Sequence, residues 1–201
     1  MPIADAVRWN ARYRASLPTE PRASAPREWL VAQQHWLPAG GLALDAAMGQ
    51  GGSACWLAAR GFQVVGIDIS EVAARQAKAQ CPALMAVVAD LVGLVLPENT
   101  FDVILNFYYL DRALWPQYRR ALRPGGVLFF ETFMRPPDGP QQGPPPAIST
   151  AHTLEPGELR AAFADWRLLA YHDGAPINCA SPEHPNAPSQ VVASLAARRK
   201  S

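Results

Sequence analysis

Short apolar runs alternate with amphipathic segments along most of this chain. GLALDAA, FQVVGIDI, LMAVVAD, FDVILNFYY and VLFFETF, all between residues 41 and 133, have the length of buried strands, and all but the first carry β-branched or aromatic residues. The intervening SACWLAARG, EVAARQAKAQC and ALWPQYRRAL carry helical spacing, the first closed by Gly61 and the last ended at RPGG. Upstream, DAVRWNARYR reads as a short helix with Trp9, Arg12 and Tyr13 on one face. REWLVAQQHWL reads as an amphipathic helix with Pro26 near its first turn. Downstream, EPGELRAAFAD has helical spacing, while WRLLAYHD and SQVVASLAARR read as two strands able to pair antiparallel at one sheet edge. Strands alternating with helices predict an α/β, doubly wound fold, a mostly parallel sheet covered on both faces.

Length changes this picture little. At 201 residues the expectation is a single domain over 1–201, with residues 1–38 as an N-terminal helical region and residues 135–150 as a proline-rich insertion. The core of that insertion, RPPDGPQQGPPPA, excludes a regular helix or central strand because proline fixes φ and lacks a donor. A net charge of +1 gives no bias toward nucleic acid or a membrane surface, and no segment has the apolar length of a signal peptide or a membrane span. Cysteines 55, 81 and 179 have no metal-ligand spacing, so no metal is expected, and free thiols fit a reducing cytoplasm.

The candidate chemistry gathers where the first strand meets the first helix of the alternation. Gly49, Gly51 and Ala54 fit G-x-G-x-x-A, a degenerate dinucleotide fingerprint that would place a nicotinamide cofactor here. Three acids shift that reading. Asp45 lies near the end of the first strand, where a carboxylate is awkward beside a pyrophosphate but suits a cationic amino group. Asp68 ends the second strand, nineteen residues after Gly49, where it can accept from both hydroxyls of a ribose. Asp90 ends the third, within reach of an adenine exocyclic amine. Each alone could be a cap or turn residue; together they line the crevice at the carboxyl ends of one sheet.

The segments LDAAMGQGGSACWLAARGFQVVGIDIS, AVVADL, FDVILNFYYL and LRPGGVLFFETF resemble the successive motifs of class I S-adenosylmethionine-dependent methyltransferases. WNARY near the start and LEPGELRAAFADWRLLAYHDG near the end resemble the tellurite-resistance branch of that family. The resemblance implies a seven-stranded sheet with its last strand antiparallel and S-adenosyl-L-methionine as cofactor. It places Asp45, Ala47, Gly49 and Gly51 around the methionine part, Asp68 on the ribose, Ile69 on the adenine and Asp90 with Leu91 at the adenine edge. Asn106 and Phe107 would face the methionine end and the transferable methyl. Ala47 stands where many members have glycine. Trp9, Arg12 and Tyr13 would form a lid, and Arg12 or Arg135 could meet an anionic substrate.

A sulfonium methyl is already activated, so direct in-line displacement by a small-molecule acceptor is the expected reaction. A thiol or chalcogen oxyanion acceptor needs little help at neutral pH, whereas a hydroxyl or carbon acceptor needs a base. Candidates for that base are Tyr108, Tyr109, Asp111, Glu131 and His152. Tellurite-associated relatives carry a His-Arg pair and another arginine before the last strand; APINCASPEHPNAPSQVV has only His184. A protein that binds the cofactor without turnover is the alternative, ahead of a nicotinamide-dependent oxidoreductase.

Overall fold

Seven strands form one sheet in the computed structural model, which describes residues 3–15, 24–135, 152–177 and 190–200. They are β1 (Gly41–Ala46), β2 (Phe62–Asp68), β3 (Met85–Val88), β4 (Phe101–Phe107), β5 (Leu122–Met134), β6 (Arg167–Ile177) and β7 (Gln190–Arg198), in the order β3-β2-β1-β4-β5-β7-β6. The first five pair in parallel, and β7 runs antiparallel to both β5 and β6. The antiparallel pair expected at one edge is therefore present, with the reversed strand lying one position in from it.

The period-2 pattern sorts each strand's side chains between two apolar layers. Leu44, Ile104, Leu128, Phe130 and Leu195 pack on one face with Tyr118 of α5 (Trp115–Ala121) and Leu159 of α6 (Glu158–Ala162). Ala43, Val64, Val103, Leu105 and Phe129 pack on the other with Leu57 of α3 (Gly52–Ala58) and Ala74 of α4 (Glu71–Gln80). Helices thus cover both faces, the arrangement that parallel crossovers require.

Three elements are shorter or longer than their spacing predicts. REWLVAQQHWL divides into α2 (Glu28–Ala32) and a 3-10 turn at Gln34–Trp36, because Pro38 and the glycines after it stop the helix. EPGELRAAFAD is helical only over α6, entered from Gly157 in the left-handed conformation. RPGG belongs to β5 rather than to a turn before it. Leu122 pairs with Phe101 and Val127 with Val103, so Arg123–Gly126 bulge out against Asp102 alone, with Gly125 at φ +82°.

Strand order reverses between β1 and β4, neighbours that lead away in opposite directions. The carboxyl ends of these strands open the crevice in which ligands of such sheets bind. A further helix, α1 (Ile3–Ala15), packs against α4 above the same end of the sheet.

Candidate active site

Asp45 sits near the end of β1, in register with Gly66 of β2 and Leu105 of β4. It is 3% exposed, and its Oδ2 has no hydrogen-bond partner. Burial pushes its carboxyl up to about 7; the nearby Arg27 cation and the Ala54 amide pull it down, and Asp68 pushes it up. A sequestered carboxylate with an idle oxygen is costly unless a cation meets it.

The loop after β1 turns in a few residues. Ala47 and Gly49 both have φ of +56°, and the Met48 amide donates to the Ile67 carbonyl at 3.0 Å. Ala47 thus adopts the left-handed region that favours glycine, the residue that many members of the resembling family carry there. Gly51 (φ +77°) then caps α3.

At the end of β2, Asp68 uses both oxygens locally. Oδ2 accepts from the Gly49 amide and Oδ1 from the Ser70 amide, each at 2.8 Å. The carboxylate therefore ties the glycine loop to the start of α4. A carboxylate oxygen has two lone pairs, so ribose hydroxyls can still donate to it. Ile69 follows, half-buried.

The N-terminal segment closes one side. Asn10 of α1 places its Oδ1 2.7 Å from the Ser70 hydroxyl oxygen and accepts from the Val72 amide at 3.1 Å. Tyr13 brings its hydroxyl over Gly49, where a Cβ would come within 2.8 Å of it. Burial and the charge of Asp68 hold that phenol up at about 12. Trp9 stacks near Tyr13, and the guanidinium of Arg12 lies 5.2 Å from the Trp9 ring centroid. Of the three residues expected in a lid, Tyr13 approaches the glycine loop most directly.

Residues 24–27 form a strap over the start of α3. The Ser24 amide donates to Gln80, its hydroxyl bonds Gln50, and the Arg27 amide donates to the Ser53 hydroxyl. The strap lies so close that a Cβ on Gly52 would overlap the Ala25 carbonyl oxygen and lie 2.8 Å from its carbon. The strap then presents Arg27, whose guanidinium carbon stands 4.5 Å from the Tyr108 ring centroid. None of the ion pairs among the described residues uses Arg27. Arg27 is the site residue that sequence reasoning missed. The signal for it was Gly52, a glycine without a part in the fingerprint and so a mark of close backbone approach.

The remaining candidates divide into exposed and internal groups. Asp90 caps its own turn by accepting from the Val92 amide at 3.0 Å. Leu91 and Phe107 are buried in the two apolar layers. Asn106 is spent on packing: its Nδ2 donates to the Tyr109 carbonyl at 2.7 Å and its Oδ1 accepts from the Tyr118 hydroxyl at 2.8 Å. Tyr108 has φ +58° and stacks on Phe133 as well as under Arg27. Burial raises the Tyr109 phenol to about 12, so it stays protonated at neutral pH. Glu131 is buried and accepts from the Ser194 hydroxyl at 2.7 Å. Asp111 caps the Ala113 amide. His152 is exposed, and Arg135 pairs with Glu155 at 2.9 Å. Residues 136–150 of the proline-rich insertion, together with Cys179 and His184, lie outside the described residues. Among the described residues no group of three or more His, Cys, Asp or Glu is placed to hold a metal ion, and no helix is long and apolar enough to cross a membrane.

Residues 43–126 match the methyltransferase domain family. A probable S-adenosylmethionine-dependent methyltransferase of Mycobacterium tuberculosis is 32% identical over 118 residues, 56% of this chain and 42% of that protein. The chain thus spans less than half the length of the curated relatives it matches. Among solved structures, TehB from Haemophilus influenzae superposes with a TM-score of 0.72 at 20% identity, over 86% of this chain and 62% of TehB. A structure bearing on conversion of a disulfide bond into a thioacetal group during echinomycin biosynthesis gives a TM-score of 0.66 at 23% identity, over 97% and 93% of the two chains. The solved structures share the fold, and the match to the methyltransferase domain family runs from β1 through the glycine loop and β4 into β5.

Proposed function

We propose that this chain, as a single domain, moves the methyl group of S-adenosylmethionine directly to a small-molecule nucleophile. The observation that carries this reading is the buried, half-satisfied Asp45 carboxylate with the Arg27 guanidinium beside it. An amino-acid head is a zwitterion, and a carboxylate next to a guanidinium is its complement. Asp45 would take the ammonium of the methionine head and Arg27 its carboxylate. Asp68 would hold the ribose, with Ile69 and Asp90 along the adenine.

When bound, S-adenosylmethionine supplies a methyl already activated on a sulfonium, and no side chain need form a covalent bond. The chain's work is binding, alignment and exclusion of water. Tyr109, held protonated, can donate a hydrogen bond but is no base at neutral pH. That supports an acceptor bringing its own lone pair, such as a thiol or a chalcogen oxyanion. Glu131 would be the base for an acceptor that needs one.

Calorimetric titration with S-adenosylmethionine, S-adenosylhomocysteine and NAD in parallel tests the reading. Binding of the first two alone is expected, followed by S-adenosylhomocysteine formation on thiols, chalcogen oxyanions or phenols. Binding of NAD alone would overturn the cofactor assignment. Binding without product on any acceptor would favour a cofactor-binding protein lacking turnover.

Two substitutions separate the parts of the site. Arg27→Gln should weaken S-adenosylhomocysteine binding about 10- to 100-fold, the scale of a lost charged hydrogen bond. An unchanged Kd would remove Arg27 from the head subsite. Asp68→Ala should weaken the same ligand by about 1–3 kcal/mol and also lower the melting temperature, because the Gly49 and Ser70 amides lose their acceptor. Full retention of affinity would leave Asp68 a loop tie alone.

A further inference from the structure

Among the described residues β3 is the outermost strand on its side and pairs with β2 alone, so its other backbone edge meets no strand. Natural edges of this kind are guarded by lysine, proline or a bulge within the strand, yet β3 itself, MAVV, contains neither a charged side chain nor a proline. The exposed apolar surface concentrates here: Met85 is 43% exposed, Val87 41% and Val88 53%, and just beyond the strand Val92 is 62% and Val95 81%.

The cause lies in the crossover. Ala86 points into the layer that α4 covers, so Met85 and Val87 point to the opposite face. That face is normally covered by a helix between β3 and β4, and residues 89–100 form no helix here. Among the described residues, nothing covers either this sheet edge or the adjoining face.

We propose that this edge joins two copies of the chain, β3 pairing antiparallel with β3 about a two-fold axis so that the sheets continue into each other. The strand is suited to pair with itself. At its start the Lys78 ammonium sits on the Pro82 and Leu84 carbonyls, 2.8 Å from each. At its far end, two residues past Val88, stands Asp90. Antiparallel pairing centred on Ala86 keeps like faces together and sets Pro82, whose carbonyl holds the Lys78 ammonium, opposite Asp90 of the other copy, twice. Parallel stacking would set like charges together. The same patch serves both partners, as a two-fold interface demands. A membrane is the poorer occupant, because Asp90 and Glu98 border the patch and anionic headgroups would repel them.

Sedimentation velocity on the full chain over roughly 1–100 μM, which brackets a micromolar Kd, decides the matter. A dimer is expected, weakening as salt screens the end pairs. Val87→Lys and, independently, Val95→Glu should give monomers with unchanged S-adenosylhomocysteine affinity and a melting temperature that no longer rises with protein concentration. A monomer at every concentration overturns the proposal, and so does a dimer that survives both substitutions. Co-sedimentation of wild type, but not Val87→Lys, with vesicles of phosphatidylcholine and phosphatidylglycerol would assign the patch to lipid instead.

Discussion

Asp45→Asn is expected to cost S-adenosylmethionine binding about 2–4 kcal/mol, roughly 30- to 700-fold in Kd, while relieving a pH-dependent strain on the ligand-free protein. The sign follows from the raised carboxyl. Folded, Asp45 keeps its proton up to about pH 7; unfolded, it loses it near 3.8. Between those values the native state binds more protons than the unfolded one, so stability falls as pH rises, by up to about 1.4 kcal/mol per pH unit from this group. Asp68 is shifted in the same direction, so the difference between wild type and Asp45→Asn isolates Asp45. Melting curves at pH 5, 6 and 7 should show the shallower decline in the variant.

Binding has the opposite slope. An ammonium requires the ionised carboxylate, so wild-type affinity should climb about tenfold per pH unit below 7 and then level. Each binding event in that range should release a proton, visible as a heat that changes with the ionisation enthalpy of the buffer. Of the groups facing Asp45, the Tyr13 phenol ionises far above the range, and the contribution of Asp68, raised in the same direction, is read from the same titration on Asp45→Asn. A wild-type affinity flat from pH 5.5 to 7.5 would show that Asp45 does not receive the ammonium.

The parts of this site differ in how far the sequence reveals them. Asp45, Asp68 and Asp90 are legible because strand periodicity fixes where each parallel strand ends, and the ends of such strands share one crevice. Asn106 and Phe107 close β4 and Leu91 lies just past β3, yet their side chains turn inward. Which way a residue turns at a strand's end depends on partners such as Tyr118, twelve residues beyond Asn106 and on another element. Arg27 is beyond local reading for a related reason. It lies eighteen residues before Asp45, and only the passage of its strap over α3 brings the two together. The bulge at Arg123–Gly126 has a local signature in Pro124 and two glycines, but that signature fits a turn equally well. Composition marks where a chain bends; whether the bend ends an element depends on what pairs across it, here Phe101 with Leu122.

Gly52→Val should cost about 3 kcal/mol of stability and at least about 100-fold in S-adenosylhomocysteine affinity, at the upper end of overpacking because the obstacle is backbone. Competing effects make this a sharp test. Gly52 opens α3, and replacing a helical glycine with alanine ordinarily stabilises by up to about 1 kcal/mol. At Gly52 even the alanine Cβ overlaps the Ala25 carbonyl, and neither α3 nor the strap can yield without breaking the bond from the Arg27 amide to Ser53. Gly52→Ala should therefore destabilise, with valine worse, and both should move Arg27 off Tyr108. Losing that cation from beside Asp45 would raise the carboxyl further and shift the pH dependence of binding upward. Gly61 provides the contrast, since its Cβ would enter open space and Gly61→Ala meets only the penalty of φ +87°, about 1–2 kcal/mol, with cofactor affinity intact. A Gly52→Ala protein that melts higher and binds as tightly as wild type would mean that the strap does not rest on α3, and Arg27 would then lose its place beside Asp45.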